Sequence, residues 1–106
     1  MVGFSWPIQD NGRTRLPTLD KRAVERAEYL CERDQWSHEG YEHSFDGLEY
    51  RFIGENLAKD FATYQEAYQA WQGSPAHNAN LTSPQFQWWG FGAGPCGIWV
   101  ELYAGD

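Results

Sequence analysis

The chain has 106 residues and a net charge of -7, from eight Lys and Arg against fifteen Asp and Glu. A single domain of this size buries roughly two thirds of the surface its unfolded form would expose. Hydrophobic residues make up 42% of it and 17% are aromatic, which excludes wholesale disorder. From Phe52 onward Lys59 is the only base, which excludes a surface that tracks nucleic-acid phosphates.

Met1 to Arg15 has no apolar core of the kind a signal peptide needs, so no signal peptide is expected in this chain. Residues 1–17 read as an N-terminal arm pinned by Phe4 and Trp6, and residues 18–106 as one domain. Thr18 is expected to cap a helix from about Leu19 to Gln35, because Leu19, Ala23, Ala27, Leu30 and Cys31 recur at three- and four-residue steps. Lys21, Glu25, Arg26, Glu28, Glu32 and Arg33 fill the other face, which reads as solvated. Trp36 to Gly47 reads as a loop, followed by a short strand, Leu48 to Ile53, that Gly54 interrupts.

Thr63 and Glu66 have capping-box spacing and predict a second helix from Tyr64, ended by Gly73. Ser74 followed by Pro75 repeats the start signal for a short third helix to about Leu81, with His77 in its first turn. Gln87 to Ala93 and Ile98 to Tyr103 are aromatic and β-branched runs around a Gly-Pro-Cys-Gly turn, which predicts an antiparallel hairpin. The uncharged stretch from Leu81 to Val100 is broken by Pro84, Gln85, Gln87 and several glycines, so it is no membrane span.

Gly90, Gly92 and Gly94 lead into a strand and not a helix, so a phosphate cradle is rejected; small residues there are expected to let Trp88, Trp89, Phe91 and Trp99 pack across the hairpin. Ser74 is expected to spend its oxygen as a helix cap, which leaves nucleophilic serine chemistry unsupported. His38, Glu55 and His77 remain. Two imidazoles and a carboxylate meet the ligand demand of a zinc-like ion with an open fourth position, and on residue chemistry alone His43 has the same standing as His38.

The stretch Gly54-Glu55-Asn56-Leu57-Ala58, then Trp71, Ser74-Pro75-Ala76-His77-Asn78-Ala79-Asn80-Leu81 and Trp89-Gly90-Phe91-Gly92 resembles the CAP superfamily of cysteine-rich secretory, antigen 5 and pathogenesis-related proteins, with their bacterial SCP-like relatives. The similarity runs from about Leu19 to Tyr103. It implies an α+β fold, a three-layer α-β-α sandwich with a small antiparallel sheet, here shortened at the N-terminus. It also implies a cleft lined by His38, His77 and Glu55, which demotes His43. The second Glu that animal and plant members carry after the Trp is replaced here by Gln72, Gly73 and Ser74. Glu101, Asn56 and Ser74 are further cleft candidates; Glu101 stands where relatives commonly have Gln, and Asn56 reads as a lock on its turn.

What the resemblance implies for function is a binding module whose cleft takes a divalent metal ion, zinc first, and which acts by holding a protein, lipid or glycan and not by catalysis. Two alternatives stay open: a zinc-dependent hydrolase of peptide or cell-wall bonds, with Glu55 as ligand or base, and a structural or adhesive component of a phage particle or surface assembly. An extracellular, virion or surface location follows from the same resemblance, and oligomerisation stays open. Glu55, between Gly54 and Asn56, is expected at a strand–helix junction, orienting an imidazole. In such a sandwich the first helix is expected over the middle of the sheet and the hairpin tip at its rim, so Cys31 and Cys96 are expected as free thiols.

Overall fold

The computed structural model describes residues 11–106; Phe4 and Trp6 lie outside them. The elements are β1 (Thr14–Arg15), α1 (Pro17–Glu32), a 3-10 turn (Tyr41–Phe45), β2 (Phe52–Lys59), α2 (Tyr64–Gln72), α3 (Pro75–Thr82), β3 (Trp88–Ala93) and β4 (Ile98–Gly105). The sheet has the order β1-β3-β4-β2. Its β3–β4 and β4–β2 pairs are antiparallel and β1 lies parallel to β3. It is therefore mixed and not purely antiparallel, the parallel strand coming from two residues of the segment read as an arm.

Strand alternation builds the three layers. Ile98, Val100, Leu102 and Ala104 of β4 pack with Leu19, Ala23, Ala27 and Leu30 of α1 on one face. Tyr103 faces the other way, into a cluster with Tyr64, Ala67, Tyr68 and Trp71 of α2 and Leu81 of α3. The result is a helix–sheet–helix sandwich.

α1 starts earlier than Thr18 predicts. Leu16 takes the cap position without a side-chain bond and Pro17 opens the helix, as its fixed φ allows at a first helical residue. The helix stops at Glu32, before Gln35. Asp34 adopts a left-handed φ of 50°, and the Asp34 and Gln35 amides turn back to the Cys31 and Leu30 carbonyls, a Schellman ending. α2 begins at Tyr64 with both halves of the Thr63–Glu66 capping box formed, and Gly73 closes it.

The glycines of β3 do something other than accommodate aromatic rings. A Cβ on Gly90 would sit 2.4 Å from the Asp20 amide, and one on Gly92 would sit 2.6 Å from the Val24 amide. They form a floor on which the α1 backbone lies directly. Because α1 runs along that floor, its last turn arrives at the β3–β4 turn, where Cys31 and Cys96 form a disulfide with a Cα–Cα distance of 5.6 Å. The expectation of two free thiols is thereby corrected: α1 reaches the rim of the sheet as well as covering its middle.

β2 also departs from the sequence reading. It begins at Phe52 and continues through Gly54 to Lys59, where Leu48 to Ile53 had been expected. Gly54 does not interrupt the strand; its missing Cβ leaves room for the Phe86 ring, whose Cζ would lie 2.8 Å away.

Candidate functional site

β2 is an edge strand, and successive side chains leave it on opposite faces. Glu55 pairs in register with Leu102 and so points to the α1 face; Asn56 pairs with Glu101 and points to the α2/α3 face. Glu55 is thus in mid-strand and not at a strand–helix junction. Its Oε2 accepts a 2.8 Å hydrogen bond from Arg26 Nε, and its Oε1 lies 2.8 Å from His38 Nδ1. The Arg26 and Glu55 side chains are 4% and 1% exposed, whereas that of His38 is 54% exposed.

His77 reaches the same place from the other face. Ser74 precedes α3 without capping it, contrary to the sequence reading; its Oγ lies 2.9 Å from His77 Nδ1 instead. Asn56 is fully buried and donates 3.0 Å bonds to the His77 carbonyl and to Tyr103 Oη. Asn80, one turn beyond His77, donates to Asn56 Oδ1 at 2.9 Å and to the Glu55 carbonyl at 3.3 Å. Asn56 therefore fastens α3 to the sheet, where a lock on its own turn was expected.

Together these residues border a cleft of about 340 Å³ over the outer edge of β2, lined by His38, Tyr41, Glu55, Asn56, His77 and Asn80 among others. Each imidazole has its Nδ1 engaged, by Glu55 or by Ser74. That arrangement fixes ring orientation and leaves Nε2 as the nitrogen of each ring that these partners do not engage. Burial, and then the neighbouring His38, lowers the pKa of His77, which favours the neutral ring. Both Glu55 oxygens are occupied by Arg26 and His38. Among the described residues no three His, Cys, Asp or Glu are grouped to hold a metal ion.

His43 does not line this cleft. It stands on the 3-10 turn, 75% exposed, with its Nδ1 3.3 Å from Asp46. Glu101 lies on the face of the sheet opposite Glu55 and accepts hydrogen bonds from Tyr64 Oη and Tyr103 Oη. Burial raises its pKa to about 7, against the pull of the two tyrosine hydrogen bonds and of Arg13 and Arg15.

Arg26, Tyr41 and Asn80 escaped the sequence reading as site residues. The signal for Arg26 was present: Leu19, Ala23, Arg26 and Leu30 follow one another at four-, three- and four-residue steps, which puts the arginine on the apolar stripe and not on the solvated face.

The family model described as "Cysteine-rich secretory protein family", CAP, matches residues 14–103. The uncharacterized protein YkwD of Bacillus subtilis (strain 168) is 31% identical over 96 residues, which is 83% of this chain and 37% of that protein. The chain thus spans little more than a third of that relative. An extracellular protein containing an SCP domain from Bacillus anthracis str. Ames superposes with a TM-score of 0.79 at 17% identity, over 89% of this chain and 34% of that one. An outer surface protein from Borrelia burgdorferi gives 0.75 at 23% identity, over 91% and 79%. These two structures share the α-β-α sandwich. Among the described residues no helix is long and apolar enough to cross a membrane.

Proposed function

The chain belongs to the cysteine-rich secretory protein (CAP) family, and from that premise we propose that it is a binding module. Its cleft takes a divalent metal ion, zinc first, through His38 and His77, and it acts by holding a ligand or partner and not by turning one over. One observation carries this reading: two imidazoles from opposite faces of the sheet border one cleft, each with its Nδ1 held by its own partner. Glu55 serves as the group that orients His38, because its oxygens are already engaged. The residues present fit a cation through two nitrogens. A zinc ion bound there supplies open coordination positions to oxygen or nitrogen atoms of a ligand.

The chain's own residues then have separate tasks. Ser74 and Glu55 aim the rings, Asn56 and Asn80 fix α3 against β2, and Tyr41 forms the wall beside His38, with ring centroids 6.5 Å apart. An extracellular or surface location is part of the same proposal, and the Cys31–Cys96 disulfide supports it, as does the kind of protein that shares the fold. The ligand falls among proteins, lipids and glycans.

Calorimetric titration of the metal-free protein with zinc tests the reading. The expected result is binding that His38→Ala and His77→Ala abolish and His43→Ala leaves unchanged. Absence of zinc uptake, or uptake that survives His77→Ala, refutes it.

A further inference from the structure

Arg26 is a buried guanidinium on a helix whose neighbouring inward positions are Ala and Leu. Its Nε donates to Glu55 Oε2 at 2.8 Å, and its Nη2 lies 3.5 Å from Glu55 Oε1. The same Nη2 donates to the carbonyls of Ser37 at 3.3 Å and Glu39 at 3.2 Å, the residues on either side of His38. One planar group therefore holds the carboxylate that orients the His38 ring and also the backbone that carries that ring. No other described side chain is hydrogen-bonded to both.

We infer that Arg26 is a positioning residue of the cleft, setting the place and the tautomer of His38 through Glu55 and through the two flanking carbonyls. The chemistry requires an arginine. Its fork presents several donors in fixed directions, whereas a lysine offers one point charge on a flexible stem. An ionised carboxylate only accepts hydrogen bonds, so in a neutral His38 ring the contact with Glu55 selects the Nδ1–H tautomer, whose Nε2 is the unprotonated nitrogen. A simple ion pair between α1 and β2 would need the Glu55 contact alone. The two carbonyl bonds around His38 are what make the arrangement specific to that residue.

The inference rests on the cleft reading above only in treating His38 as a cleft residue, and its main test uses metal-free protein. Long-range proton–nitrogen NMR spectra at pH 8 report the tautomer of each imidazole. Wild type is expected to show His38 as a single Nδ1–H form. Arg26→Gln is expected to give a mixture of tautomers at His38 with His77 unchanged, and about a ten- to hundredfold loss of zinc affinity, the range for partners that orient a ligand. Should Arg26→Gln fail to fold, Arg26→Lys keeps the buried charge opposite Glu55 but cannot span both carbonyls, and it is read in the same way. A folded Arg26→Gln, or failing that Arg26→Lys, with His38 still a single Nδ1–H tautomer overturns the inference and leaves Arg26 as a stabilising ion pair. A wild type that takes up no zinc while Arg26→Gln frees His38 sinks the metal reading and leaves this one standing.

Discussion

Glu101→Gln is expected to stabilise this domain above neutral pH, although it removes a carboxylate that two tyrosines contact. The Glu101 carboxyl is 1% exposed. Burial lifts its pKa from 4.5 to about 7, the hydrogen bonds from Tyr103 and Tyr64 and the charges of Arg13 and Arg15 recovering only part of the cost. In the unfolded chain it titrates near the ordinary value, so between the two values the folded state holds the proton more tightly. The stability that this proton contributes is fully present below about pH 4.5 and is lost as pH rises through about 7. At about 1.4 kcal/mol for each pH unit between those values, the loss comes to about 3 kcal/mol. Glutamine stands in for the protonated form: Oε1 accepts from one tyrosine hydroxyl while Nε2 donates to the other. Urea unfolding from pH 4 to 8 measures the effect. The difference in stability between variant and wild type should be small at pH 4 and grow to about 3 kcal/mol in favour of glutamine at pH 8. Other titrating groups cancel in that difference. Parallel curves for the two proteins, or a glutamine variant less stable than wild type at pH 8, refute the reasoning.

Two further outcomes follow from the packing of α1. The Cys31–Cys96 disulfide closes a loop of 65 positions, for which the chain-entropy relation gives about 4 kcal/mol; replacing both cysteines by serine should lower urea-derived stability by up to that amount, and an unchanged midpoint would remove the bridge from the account of stability. Gly92→Ala would place a methyl group 2.5 Å from Val24 Cγ2 and 2.6 Å from the Val24 amide, so α1 must lift off β3, at a cost of about 1–3 kcal/mol; a neutral effect on the thermal midpoint would show that the helix has slack above the glycine floor.

What the sequence made legible was whatever depended on neighbours along the chain. The Thr63–Glu66 box, the Gly73 stop and the Ser74-Pro75 start each act within one helical turn, and all three mark observed boundaries. The motif residues Glu55, Asn56, Trp71 and His77 gave the family and the sandwich through their order and spacing. Contacts between elements were harder to read. Gly54 looks like a strand breaker until Phe86, 32 positions away, is seen filling the space above it. Arg26 looks like one more surface charge until Glu55 and the His38 loop close on it. The disulfide is not legible in the sequence because the course of α1 over the sheet depends on Gly90 and Gly92 of β3 and on Gly94 just after it, whose small size has a meaning only once the helix lies on them.

The position of the cleft follows from a problem that every open sheet has. β2 is an edge, and the odd-numbered residues of its middle turn their carbonyls away from β4, where a foreign strand could pair with them. Three side chains cover those carbonyls. Trp71 Nε1 donates to Leu57 O at 2.9 Å, Asn80 Nδ2 to Glu55 O at 3.3 Å, and Tyr41 Oη lies 3.5 Å from Ile53 O. Tyr41 approaches with the His38 loop and Asn80 with the helix that carries His77, so closing the edge brings the two imidazoles to either side of it. Trp71 and Asn80 are among the residues that carry the family resemblance and are explained by this cover without any ligand, as is Asn56, whose Oδ1 holds the Asn80 amide and whose Nδ2 holds the His77 carbonyl. His38 and His77 are not: neither ring bonds an edge carbonyl, both have their Nδ1 spent on an orienting partner, and both border the opening. Protecting the strand accounts for where the cleft lies, and the two histidines are the part of it that chemistry must account for.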